Sequence, residues 1–129
     1  MKKDIDFSPI KGVTITIAKT EEGWNVFLLN RSELKLETIL ITSKGYGEKN
    51  GEQQKTSLLR HSIPYLEPSM HAKVENIQPE VFHLNNEYWV SYYVDGKIFD
   101  KKFIFLPDSI VEENFVQIPE LRALGVLHD

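Results

Sequence analysis

Asn86-Glu87-Tyr88-Trp89-Val90-Ser91-Tyr92-Tyr93-Val94, then Asp95-Gly96, then Lys97-Ile98-Phe99-Asp100-Lys101-Lys102-Phe103-Ile104-Phe105-Leu106 is the stretch whose reading decides the fold. Asp-Gly between two β-prone runs predicts a two-residue hairpin loop, because a type I′ turn needs φ > 0 at both central residues. With Asp95 and Gly96 as the loop, Val94 stands opposite Lys97, Tyr92 opposite Phe99, Val90 opposite Lys101 and Tyr88 opposite Phe103. Opposed residues share a face, so Tyr88, Val90, Tyr92, Phe99, Phe103 and Phe105 form an almost unbroken apolar side, expected to be core. The other side sets Trp89, Ser91 and Tyr93 against Lys102, Asp100 and Ile98, with Ile104 beyond, and is mixed.

The flanking chain carries the same period of two. Val13-Thr14-Ile15-Thr16-Ile17 alternates strictly and predicts a strand with one buried face. Trp24 to Leu29 is apolar on both sides, as a central strand requires. Leu34 to Ser43 predicts another strand, with Ile39 and Ile41 on one face and Leu36, Thr38 and Leu40 on the other. Lys44 to Lys55, punctuated by Gly45, Gly47 and Gly51, reads as a polar hairpin loop. Thr56 to His61 predicts a short strand, and His71 to Ile77 one with Ala72 and Val74 inward. Gln78 to Leu84 suits a helical turn, Asp108 stands where it could cap a second, and Phe115 to Ile118 is a last strand. Before the first strand, Phe7 and Ile10 are able to pack, and Pro9 blocks a helix there.

Short strands joined by turns, roughly seven to eight of them with one or two helical turns, predict an all-β, antiparallel β-sandwich spanning residues 1–129 as one domain. The Leu28-Leu29-Asn30 strand end, a polar turn and Leu36-Glu37-Thr38-Ile39-Leu40-Ile41 resemble immunoglobulin-like modules. The absence of cysteine removes the disulfide framework of antibody domains, and with it thiolate metal sites and cysteine nucleophiles.

A formal net charge of −4 without a basic run disfavours duplex nucleic acid as a partner, since phosphates need a cationic face. No window approaches the ~18 apolar residues of a membrane-spanning helix. The N-terminal Met1-Lys2-Lys3 begins as a signal peptide does but turns acidic at Asp4 and Asp6, so a cytoplasmic location is expected. His61, His71, His83 and His128 are not paired with one another or with carboxylates at metal-ligand spacing, so neither a metal nor a cofactor is expected. Gly45-Tyr46-Gly47-Glu48-Lys49-Asn50-Gly51 lacks the spacing and the strand-to-helix context of a phosphate loop. No strand–elbow–helix presents a serine nucleophile, and no catalytic residue is expected.

Two segments remain as candidates. Lys55, Ser57 and His61, with Arg60 beside them, could bind a small molecule or an anion such as a carboxylate or phosphate, with the glycine-rich loop as a lid; the favoured reading is that charges there protect an edge strand from aggregation. Trp89, Tyr93, Ile98, Lys102 and Ile104 on the mixed side of the hairpin have the composition of an interface core, with Lys102 able to lie over the Trp89 indole. The partner would be a second copy or another protein. The alternative is that the apolar C-terminal segment, with Leu121, Leu124, Val126 and Leu127, folds back over this side.

Over nearly its full length the chain resembles a family of small bacterial proteins. The carrying motifs are Met1-Lys2-Lys3-Asp4-Ile5, Thr42-Ser43-Lys44-Gly45-Tyr46-Gly47, Lys55-Thr56-Ser57-Leu58-Leu59-Arg60-His61, Leu84-Asn85-Asn86-Glu87-Tyr88 and Pro119-Glu120-Leu121 with Gly125-Val126-Leu127. Members of that family are sometimes called phenylalanyl-tRNA synthetase alpha subunits, which implies at most an accessory association. The arginine motifs and large catalytic domain of a class II synthetase are not in this sequence.

Overall fold

The Asp95-Gly96 hairpin forms as its sequence dictates. In the computed structural model, which describes residues 10–129, Asp95 and Gly96 have φ of 50° and 79°, the left-handed values of a type I′ loop. The flanking strands pair Val94 with Lys97, Tyr92 with Phe99, Val90 with Lys101 and Tyr88 with Phe103. Phe7 and Pro9 lie outside the described residues. Ile10 packs at the margin of the core, and its N–H donates to the Tyr92 hydroxyl at 3.0 Å.

Among the described residues there are ten strands, more than the sequence reading counts: β1 (Val13–Thr20), β2 (Gly23–Asn30), β3 (Leu36–Lys49), β4 (Glu52–Lys55), β5 (Leu59–Leu66), β6 (His71–Asn76), β7 (Asn85–Val94), β8 (Lys97–Phe105), β9 (Val116–Ile118) and β10 (Ala123–His128). They make two antiparallel sheets in a sandwich. The first has the order β6-β2-β1-β10-β9. The second has the order β4-β3-β7-β8, with β5 also paired to β3. Three single 3₁₀ turns punctuate the described residues, at Pro79–Val81, Glu112–Asn114 and Pro119–Leu121. The second of these starts after Val111, and Asp108 sits in a separate turn at φ 59°, so it does not cap a helix.

The excess strands are β10, in the apolar C-terminal segment, and β4, in the glycine-rich segment. Gly45 and Gly47 are not loop residues but lie within β3, which runs on to Lys49 and turns at Asn50-Gly51 into β4. Leu84 lies over both: a Cβ at Gly45 would stand 3.4 Å from Leu84 Cδ1, and one at Gly47 3.3 Å from Cδ2. Close approach, not turn geometry, explains these two glycines.

Between the sheets Ile15 and Ile17 of β1, Val26 and Leu28 of β2, Leu36, Ile39 and Ile41 of β3, and Tyr88, Val90 and Tyr92 of β7 pack with Phe103 and Phe105 of β8. Phe99 is half-buried and stacks on Tyr92 with ring centroids 5.9 Å apart. Leu36 shares the inner face with Ile39 and Ile41, contrary to strict alternation. A β-bulge at Thr38 (φ 48°) inserts one residue between the pairs Glu37–Tyr93 and Leu40–Ser91 and turns Leu36 inward. On the opposite side of the first sheet Ala18, Leu29 and Ile118 are also buried. There the Pro119–Leu121 turn is tied to the end of β2 by a two-pronged Arg31–Glu120 ion pair, at 2.6 and 3.0 Å.

Candidate functional site

The outer face of the second sheet is built by register. Outward residues form rows across β5, β3, β7 and β8: Tyr65, Glu37, Tyr93 and Ile98; then Ser62, Leu40, Ser91 and Asp100; then Arg60, Thr42, Trp89 and Lys102. Lys44, Glu87 and Ile104 close the array. Large apolar groups therefore stand open to solvent: Leu40 is 54 % exposed, Tyr65 51 %, Trp89 44 %, Tyr93 38 % and Ile98 56 %. Leu40 and Tyr65 belong to this surface by register, and no reading of the hairpin alone would include them. Ile104 is half-buried at its margin.

The C-terminal segment does not cover this face. Its strand β10 pairs with β1 and β9 in the other sheet, and its last histidine, His128, packs edge-on against Phe103 and Phe105 from the inside.

Charged side chains lie among the rings. Lys102 Nζ is 4.7 Å from the Trp89 ring centroid and Lys35 Nζ 4.9 Å from that of Tyr65, both over the ring. Lys35 also approaches Glu37 at 3.8 Å. Lys44 lies 3.9 Å from Glu87, whose side chain is 8 % exposed. Cations Lys35, Arg60, Lys44 and Lys102 thus alternate with anions Glu37, Asp100 and Glu87, and the face is close to neutral.

The segment from Lys55 to His61 is not one strand. Lys55 ends β4 opposite Tyr46, residues 56–58 form a connection, and β5 starts at Leu59. Arg60 belongs to the outer face beside Thr42, whereas His61, opposite Ile41, points inward. Lys55, Ser57, Arg60 and His61 therefore do not converge. His61 Nε2 donates to Glu75 Oε1 at 2.6 Å, and that carboxylate is the fixed charge nearest the ring. β5 lies along an edge of its sheet, which agrees with the protective role of its charges.

Glu75 has no signature in the sequence, since alternation from Val74 places it outward. A β-bulge in β6, where Val26 pairs with Glu75 and Phe27 with Lys73, turns it inward. Among the described residues no group of three or more His, Asp or Glu side chains gathers to hold a metal ion, and no helix is long and apolar enough to cross a membrane. Comparison of the chain with models of protein families and with curated proteins finds no match.

Proposed function

We propose that this domain is a non-enzymatic interaction module that acts through the outer face of the second sheet, and that the face is occupied by a second copy of the same chain. The observation that carries the reading is the exposure of Leu40, Tyr65, Trp89, Tyr93 and Ile98 on one face of the sheet. Together these side chains leave roughly 500 Å² open, at the upper end of the largest apolar patch on a typical monomer.

Charge and area favour a second copy. The chain as a whole carries −4, but this face nearly balances its own cations and anions, so it selects neither an acidic nor a basic partner. A two-fold interface must be complementary to itself. An axis along the Leu40 row lays the tyrosine row of one copy over the tryptophan row of the other and Leu40 on Leu40; of the charged groups only Asp100, at the end of that row, meets its own copy. Burying both faces removes about 1,000 Å² of mostly apolar surface, near the lower bound for a specific complex. The expected dimer is therefore of micromolar affinity.

Sedimentation over a concentration series tests this. The parent chain is expected to shift from monomer to dimer at tens of micromolar. Trp89→Glu with Ile98→Glu, both at exposed positions, should stay monomeric, with a melting temperature within about 4 °C of the parent at concentrations where the parent is monomeric. A parent that remains monomeric at several hundred micromolar refutes the proposal.

A further inference from the structure

The bulge in β6 does more than bury a carboxylate; it places Glu75 in the wall of a cavity. This cavity, about 380 Å³, opens between the sheets where β3, the 56–58 connection, β6 and β7 meet. Its apolar walls are Leu59, Ile77, Val81 and Tyr88. A volume of this order is at the small end of ligand-binding sites, which are typically ~300–1,000 Å³ with a few convergent polar groups.

Of its buried and half-buried polar groups, Glu75 and Asn86 present open acceptors, while Thr56, Ser57, Asn76 and Gln78 also line the cavity and are exposed. Glu75 Oε1 receives the Ser43 hydroxyl at 2.8 Å and His61 Nε2–H at 2.6 Å, and Oε2 receives the Tyr88 hydroxyl at 3.2 Å. Burial and the neighbouring Glu75 both raise the Tyr88 pKa, so its hydroxyl keeps its proton and serves as a donor. A carboxylate offers about four acceptor positions, two on each oxygen. Oε1 is saturated, and Oε2 retains one.

Asn86 lines the same cavity, and its Oδ1 faces Gly45, 3.4 Å from where a Cβ there would stand. Both Asn86 amide hydrogens are directed away, to the carbonyls of Val81 and Leu84. Of the charged lining groups, Lys44 lies toward Glu87 and over the Tyr46 ring, which leaves Glu75 as the fixed charge of the interior. An anion would meet a carboxylate and an amide oxygen. A metal ion would find the His61 nitrogen already bonded to Glu75.

We propose that this cavity binds a small primary amine, its ammonium donating to Glu75 Oε2 and Asn86 Oδ1 and its apolar body lying against Leu59, Ile77, Val81 and Tyr88. The ammonium is a compact donor without an acceptor, which matches the open acceptors of Glu75 and Asn86. The site is distinct from the outer aromatic face, so the two proposals stand or fall separately.

The test is a titration of the full chain with 2-phenylethylamine, followed by amide ¹H–¹⁵N chemical shifts, with 3-phenylpropionate and inorganic phosphate as comparisons. Saturable shifts at Ser57, Glu75, Ile77 and Tyr88 are expected with the amine and not with either anion. Glu75→Gln should weaken amine binding at least tenfold while the rest of the spectrum is kept. If Glu75→Gln does not fold, Ser57→Trp, which plugs the cavity mouth and leaves the carboxylate in place, should abolish the shifts. Shifts absent or scattered elsewhere, an anion bound as tightly as the amine, or amine affinity unchanged in a folded variant overturns the assignment.

Discussion

Gly125 and Gly96 should fail for opposite reasons when replaced, and the difference can be worked out from the structure. Gly125 in β10 pairs with Ala18 of β1. A Cβ there would lie 2.7 Å from the Ile17 carbonyl oxygen, 2.9 Å from Ala18 Cα and 3.0 Å from Ala18 Cβ. These are mostly backbone atoms of a strand held between β2 and β10, so nothing flexible is there to yield. Displacing β1 would also stretch the Thr16 hydroxyl bond to the Val126 carbonyl, 2.8 Å long, and unseat Ile15 and Ile17 from the core. Overpacking of this kind costs about 2–4 kcal/mol. Gly96 has φ 79° and no atom within 4 Å of its would-be Cβ. Its replacement by alanine costs only the left-handed backbone, about 1 kcal/mol.

For a chain of 129 residues, 1 kcal/mol corresponds to about 4 °C in melting temperature. Gly125→Ala should therefore lower it by roughly 8–16 °C and Gly96→Ala by about 4 °C. Asparagine separates the causes, because it tolerates left-handed φ but is bulkier than alanine. Gly96→Asn should recover most of the loss, while Gly125→Asn should be worse than Gly125→Ala. Thermal and denaturant unfolding read both series. A Gly125→Ala variant no less stable than Gly96→Ala would mean that β1 and β10 are not held this close.

Three further outcomes are expected. Phe103→Ala should cost about 3–5 kcal/mol through lost burial and an unfilled cavity, whereas Trp89→Ala on the other side of the same hairpin should cost about 1 kcal/mol or less; equal losses in denaturant unfolding of the monomer would mean that both sides are core. Thr38 holds a β-branched side chain at φ 48°, so Thr38→Asn should stabilise by up to about 1 kcal/mol, and a loss in melting temperature would show that the hydroxyl or methyl has a partner worth more than the strain. The hydrogen bond from Arg31 holds the Glu120 carboxyl below its ordinary value; a lowered folded-state pKa contributes stability above the unfolded value and loses it as the group protonates, so Arg31→Gln should destabilise slightly at neutral pH and converge with the parent in strong acid, and a gap that persists in strong acid would refute this.

Much of the second sheet is written locally. Asp95-Gly96 fixes the turn, the turn fixes the register, and a period of two then assigns Tyr88, Val90, Tyr92, Phe103 and Phe105 to the inside and Trp89, Tyr93 and Ile98 to the outside. Each of those steps depends on neighbours within about ten residues and on backbone geometry common to all chains. The alternations in Val13–Ile17 and at Ala72 and Val74 are legible for the same reason, and so is the antiparallel sandwich that buries them.

What escaped the sequence turned on single residues inserted into a ladder. Alternation puts Leu36 outside and leaves Glu75 facing solvent; the bulges at Thr38 and in β6 reverse both. A bulge is not announced by composition, because the extra residue is set by how the partner strands align. Gly45 and Gly47 look like loop punctuation until Leu84, distant in sequence, lies over them. The fate of the Trp89 face was likewise undecided locally, since an apolar C-terminal segment could have covered either sheet. Pairing of β10 with β1 settled it, because its backbone donors and acceptors found partners along that strand and left the aromatic rows of the second sheet open.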